Sequence, residues 1–148
     1  MEKVLIIIPT YNEAENISQI IKEIFNCSTN VHILVVDDSS PDGTNFLVKK
    51  LINIYPAKLH LLNRLEKKGL GPAYIDGFKW ALHNEYSQIF EMDADFSHDP
   101  SEIDKMIRIL NDGFDLVIGS RYKSGINVLN WPIGRIMLSY AASIYVKV

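Results

Sequence analysis

A single cysteine in 148 residues leaves this chain without an intrachain disulfide and without the thiolate set of a Cys-based zinc site. Cys27 therefore reads as a small side chain closing a helix, in keeping with a reducing compartment. No charge of one sign prevails: 15 Lys and Arg against 18 Asp and Glu give a formal net charge of -3. With both signs scattered, the basic footprint of a nucleic-acid-binding protein is absent, and no nucleic-acid partner is expected. An anionic ligand must instead be met by a few placed cations. No apolar run approaches the ~20 residues of a membrane span. The run Val4 to Pro9 near the N-terminus is too short for one and reads as a buried strand, not a signal peptide. Neither G-x-G-x-x-G nor G-x-x-x-x-G-K-[ST] occurs, which removes the dinucleotide fingerprint and the P-loop. Internal repeats, low-complexity tracts and an interdomain linker are also missing.

What is present is 47% apolar residues, enough for one core and too few residues for two ordinary domains. Short apolar runs recur at Val4 to Pro9, Val31 to Val36, Leu59 to Leu62, Ile89 to Met92 and Leu116 to Ile118, separated by amphipathic stretches. That alternation predicts an α/β three-layer sandwich, a mostly parallel sheet flanked by helices. Ile17, Ile20, Ile21, Ile24 and Phe25 fall on one helical stripe, with Glu15, Lys22 and Glu23 off it. After the second run, Pro41 and Gly43 force a turn, and Thr44 is expected to cap the helix carrying Leu47, Leu51 and Ile52. Pro100 or Ser101 is expected to open the helix of Ile103, Met106, Ile107 and Leu110. Beyond Tyr122 a loop leads to Trp131-Pro132 and a last amphipathic helix, on which Arg135, Ser139, Ser143 and Lys147 form a polar stripe. Polar residues gather just after the strands, where an open parallel sheet places its ligand crevice.

The strongest local signal is Met92-Asp93-Ala94-Asp95, two carboxylates two residues apart at a strand end. Such oxygen ligands suit Mg²⁺ or Mn²⁺ shared with a substrate diphosphate; loop-capping aspartates give the same pattern. Asp37-Asp38 ends the second strand, where a carboxylate accepts hydrogen bonds from a ribose or base, or caps a turn. Pro9-Thr10-Tyr11-Asn12-Glu13 ends the first strand; Tyr11 offers a face for a base or ribose, while Asn12 and Glu13 also suit a helix start. Arg121 and Arg135 present planar paired donors for phosphate if they reach the crevice, and are ordinary surface arginines if they do not. Arg64, Lys67 and Lys68 read as a solvated run with a secondary pull on phosphate. His98, near Asp95, is read as a loop cap and not as a base. Trp80 and Trp131 are read as packing aromatics.

Taken together, these segments resemble the dolichyl-phosphate (polyprenyl-phosphate) mannosyltransferases of the inverting glycosyltransferase family 2, with its GT-A (Rossmann-like) fold. The resemblance runs through Ile8 to Glu13, Val36 to Thr44, Lys68 to Tyr74, Met92 to His98, Gly119 to Tyr122, and Trp131-Pro132 with Arg135. It implies a GDP-mannose donor, a polyprenyl-phosphate acceptor, inversion, release of GDP, and Mg²⁺ or Mn²⁺ as cofactor. By resemblance Pro9, Tyr11, Glu13, Val36 and Asp38 hold the nucleoside. Asp93, Ala94 and Asp95 hold the metal and diphosphate, with Asp93 and Asp95 as metal ligands. Arg121 and Arg135 bind phosphate, and Asp95, Arg121 and Arg135 are the catalytic set. Tyr140 stands where the family usually has an arginine.

The acceptor oxygen is already anionic, so alignment and departure of GDP carry the reaction without a base. The nucleotide-sugar part is expected at about 1–122 and the start of an acceptor-side region at about 123–148. The chain is expected to be truncated, with the missing part meeting the membrane surface. The full-length protein is expected to be cytoplasmic and peripheral to the membrane's cytoplasmic face, with a membrane-anchoring subunit as a possible partner. A UDP-sugar transferase of the same fold and a truncated nucleotide-binding module without turnover remain alternatives.

Overall fold

The computed structural model describes residues 3–28, 30–119 and 132–146; within the last helix, the side chains of 135 and 143–146 lie outside that description. The strands are β1 (Val4–Thr10), β2 (Val31–Asp37), β3 (Leu59–Asn63) and β4 (Gln88–Glu91). They form one sheet in the order β3-β2-β1-β4, and every pairing is parallel. The helices are α1 (Ile17–Cys27), α2 (Thr44–Ile52), α3 (Leu70–His83), α4 (Ile103–Asn111) and α5 (Ile133–Val146). A 3-10 turn, Pro100–Glu102, leads into α4 as expected from Pro100. The chain divides into two compact units, Met1–Ile107 and Arg108–Val148.

The first unit is built around β1, whose residues from Val4 to Ile8 are all buried because helices cover both faces of the sheet. Ile6, Ile8, Ile33 and Val35 meet the stripe of α1 and Val48 of α2. Leu5, Ile7, Leu34 and Val36 meet Ala73 and Ala81 of α3. Ile17, Ile20, Ile21 and Ile24 are fully buried, and each such side chain contributes roughly 1.5–3 kcal/mol. The face of α3 is small for a reason: a Cβ on Gly77 would lie 2.8 Å from Cγ2 of Ile7. Glycine there lets α3 lie close on β1, which fixes where its first turn reaches.

Three expectations change. Leu116 to Ile118 is not a strand: Leu116 and Ile118 are 72% and 76% exposed. A strand needs a neighbour to take its backbone hydrogen bonds, and among the described residues β4 pairs with β1 alone. Thr44 is the first residue of α2 and not its cap; Gly43, at φ 90°, fills the cap position. The Thr44 hydroxyl instead donates to Oδ1 of Asp42 and accepts from the Glu13 N–H at 3.0 Å. Cys27 does close α1, yet it is exposed and contributes little to the core.

At the amino ends of β2 and β3, Nδ1 of His32 and Nε2 of His60 lie 2.7 and 3.5 Å from the Tyr86 hydroxyl. Burial holds both imidazoles below the usual 6.5, and His32 is depressed further by His60, Lys58 and Lys3. Trp80 packs on His60 at 4.9 Å, the packing role read from the sequence. In the second unit, α5 forms where the apolar periodicity placed it, with Ile133, Met137 and Leu138 exposed. No helix among the described residues is long and apolar enough to cross a membrane. Arg121 and Trp131 lie outside the described residues, as does the side chain of Arg135.

Candidate functional site

From β1 the chain adds β2 and β3 on one side, then crosses to place β4 on the other. The loops that leave β1 and β4 therefore diverge, and in open α/β sheets such a switch point holds the ligand crevice. Here it is a cleft of about 310 Å³. Pro9, Thr10, Tyr11 and Glu13 line it from β1, Asp38 from β2, and Asp93, Ala94 and Asp95 from β4. Lys67, Gly69, Leu70 and Ala73 close the remaining wall. The sequence-predicted acids and the Pro-Thr-Tyr segment are thus brought together in one place.

The loops around the cleft are constrained. Asn12, Ser39 and Phe96 have positive φ of 62°, 53° and 60°, one in each loop after β1, β2 and β4. Left-handed non-glycine residues need support from outside the loop. For Asn12 and Ser39 it comes from bonds between loops, the Asn12 N–H to Oγ of Ser40 at 3.0 Å, the Ala14 N–H to Oδ2 of Asp42 at 2.9 Å and the Ser39 hydroxyl to the Arg64 carbonyl, and for Phe96 from packing against the core. Asp37 is fully buried and accepts from the Thr10 hydroxyl at 2.9 Å and the Ser40 N–H at 3.0 Å, so it ties β1 to the following loop.

Asp38 plays a different part. Its Oδ1 accepts from Nη1 of Arg64 at 2.6 Å, and its Oδ2 from the N–H groups of Lys68 and Gly69 at 3.2 and 3.3 Å. Arg64 is therefore not solvated: it is 8% exposed and also pairs with Asp76 of α3 at 3.1 Å. Arg64 follows β3 directly, and its N–H donates to the Asp37 carbonyl at 2.8 Å. The register of two parallel strands thus carries it to Asp38. Next in the same loop, Nζ of Lys67 sits 3.6 Å from the centre of the Tyr11 ring, over the face read as a base or ribose platform. Val36 lies outside the cleft lining; its side chain is fully buried in the α3-side core, so any contact from it to a ligand runs through the main chain.

The Asp93-Ala94-Asp95 segment is held from three sides. Ala94 is buried in the core, the Asp93 N–H donates to Nδ1 of His98 at 3.1 Å, and the Ser97 N–H donates to Oδ1 of Asp95 at 2.9 Å. His98 is thus a loop-capping residue, as expected. The Tyr74 hydroxyl donates to Oδ1 of Asp93 at 3.3 Å, a partner the sequence reading did not single out. Burial raises the Tyr74 phenol well above its usual range, and the charges of Asp93 and Glu91 raise it further, so it stays a donor. Burial also pushes the Asp95 carboxyl up, but bonds from the Ser97 side chain and N–H outweigh it and the net shift is downward. Asp95 is therefore an anion at neutral pH. The donor set fits a hard divalent cation: two carboxylates, with Oδ2 of Asp93 taking no hydrogen bond from a described residue. Among the described residues no three His, Cys, Asp or Glu side chains cluster as a metal cage.

This architecture is the GT-A glycosyltransferase fold. Staphylococcus aureus TarS (residues 1-349) superposes with a TM-score of 0.64 over 82% of this chain and 40% of that one, at 21% identity. The chain belongs to glycosyl transferase family 2, which it matches over residues 5–146. It is 47% identical over 97% of its length to a polyprenol monophosphomannose synthase of Mycolicibacterium smegmatis, covering 54% of that protein. It is 42% identical over 99% of its length to an undecaprenyl-phosphate mannosyltransferase of Micrococcus luteus, covering 59% of it. A mannosyltransferase of Pyrobaculum calidifontis, PcManGT, solved with GDP-Man and Mn²⁺, matches 53% of this chain and 24% of its own at 30% identity, with a TM-score of 0.50. The chain thus spans a little over half the length of the two curated relatives.

Proposed function

We propose that this chain is the donor-binding part of a mannosyltransferase that moves mannose from GDP-mannose to a polyprenyl phosphate, with inversion and release of GDP. One observation carries the reading: the base-side residues Tyr11 and Asp38 and the acidic pair Asp93 and Asp95 line a single cleft at the switch point. The mannosyltransferase names of the relatives support the sugar and the acceptor, and the GDP-Man and Mn²⁺ of PcManGT support the donor and a divalent metal.

On this reading Pro9, Tyr11, Glu13 and Asp38 receive the nucleoside, with Val36 acting through its main chain. Asp93 and Asp95 hold Mg²⁺ or Mn²⁺. Such an ion, when bound, neutralises charge on the departing diphosphate. Arg121 and Arg135 are assigned to the phosphates on the sequence resemblance. The acceptor phosphate is itself anionic, so the cleft needs no general base, consistent with a His98 ring held by the Asp93 N–H. The acceptor is presented at a membrane surface, which the whole protein meets from its cytoplasmic face.

Calorimetric titration with GDP-mannose, GDP and UDP-glucose, with and without Mn²⁺, tests the donor. Metal-dependent binding of both guanosine ligands in preference to UDP-glucose is expected. A preference for UDP-glucose reassigns the donor to a UDP-sugar.

A further inference from the structure

We propose that Tyr74 is a positioning residue for Asp93, holding the carboxylate in the orientation in which its second oxygen meets a cation. This inference rests on the reading of Asp93 and Asp95 as the metal pair.

The placement of Tyr74 follows from the packing of α3. The Asp38 carboxylate fixes the turn at Gly69 through two N–H groups, and α3 starts at the next residue. Gly77 then brings the helix down onto Ile7 of β1. Between these two anchors, Ala73 lines the cleft and Tyr74 follows it, with its half-buried ring stacked on Phe78 one turn later at 6.4 Å and 26°. The ring has little freedom, so its hydroxyl is delivered to one place, 3.3 Å from Oδ1 of Asp93.

That hydroxyl has one proton to give. Donated to Oδ1, it selects one rotamer of Asp93 and leaves Oδ2 for a cation. At 3.3 Å the contact is longer than the ~2.7–2.8 Å of a relaxed O–H···O bond, so it orients the carboxylate more than it binds it. Outer-shell partners of this kind typically contribute 10- to 100-fold, order of magnitude, to metal affinity.

The test is a Mn²⁺ titration of the chain saturated with GDP, reading free Mn²⁺ by electron paramagnetic resonance, on wild type, Tyr74→Phe and Phe78→Leu. Tyr74→Phe keeps the ring and removes the hydroxyl. It is expected to weaken Mn²⁺ by roughly 10-fold or more while metal-free GDP binding stays at the wild-type value. Phe78→Leu keeps the hydroxyl but removes the stacking that orders its ring, and it is expected to lose less Mn²⁺ affinity than Tyr74→Phe does. In an Asp93→Asn background, Tyr74→Phe is expected to add no further loss. Equal Mn²⁺ affinity in wild type and Tyr74→Phe overturns this inference alone, and so does an equal loss in Phe78→Leu. A wild-type chain that takes up no Mn²⁺ overturns the metal-pair reading and this inference with it.

Discussion

Replacing Arg64 with methionine is expected to cost about 3–5 kcal/mol of folding stability, the usual result of removing one partner from a buried ion pair. The side chains of Arg64 and Asp38 are 7% and 5% exposed and meet at 2.6 Å. Without the guanidinium, Asp38 keeps, among the described residues, the N–H groups of Lys68 and Gly69 alone, and a buried carboxylate is left under-compensated. Against a typical total of ~5–15 kcal/mol, the loss is large. The cleft suffers as well, because Arg64 joins the loop after β2 to Asp76 of α3. Urea unfolding measures the effect, and the double variant Arg64→Met/Asp38→Asn is expected to recover part of it by removing the stranded charge. A loss below ~1 kcal/mol would mean that the pair behaves as a solvent-exposed one.

Asp93→Asn and Asp95→Asn are expected to remove the metal-dependent part of nucleotide binding. Each takes away one of the two carboxylates proposed to hold the cation, and the effect should exceed the roughly 10- to 100-fold of an outer-shell partner. Asp95 is exposed and its substitution leaves the core untouched, so stability is expected to stay within about 0.5 kcal/mol of wild type. The charge at stake is present at neutral pH, since the Asp95 carboxyl lies below its ordinary range. Titration calorimetry with GDP in the presence and absence of Mn²⁺ separates the two contributions. An unchanged Mn²⁺ dependence in both variants would place the cation elsewhere.

The parts of the fold legible in the sequence are those decided by short-range periodicity. Ile17, Ile20, Ile21, Ile24 and Phe25 announced the buried stripe of α1, and the apolar run from Val4 announced a strand covered on both faces. Parallel order placed the loops bearing Tyr11, Asp38 and Asp93 at one end of the sheet, so the cleft followed from topology. Leu116 to Ile118 misled because three apolar residues make a strand only where a neighbour offers a ladder. Arg64 was hidden for another reason. Its partner Asp38 is 26 residues away, and beside Lys67 and Lys68 it looks like part of a solvated run. Tyr74 and Asp93 are 19 residues apart and meet only through the close approach of α3 to β1, which depends on Gly77. The acidic pair was thus readable from spacing, while the residues that hold it required the packing of the whole unit.

The central claim is that a metal-bound nucleotide sits at the carboxyl ends of β1 and β4. Its most direct test is the paramagnetic broadening of backbone amide resonances when substoichiometric Mn²⁺ is added to the isotope-labelled chain with GDP-mannose. The amides of Tyr11, Gly69 and Ala94 are expected to broaden first, and those of His32 and His60, at the opposite ends of their strands, last. Broadening that begins at His32 and His60 while the Ala94 amide stays sharp would contradict the account.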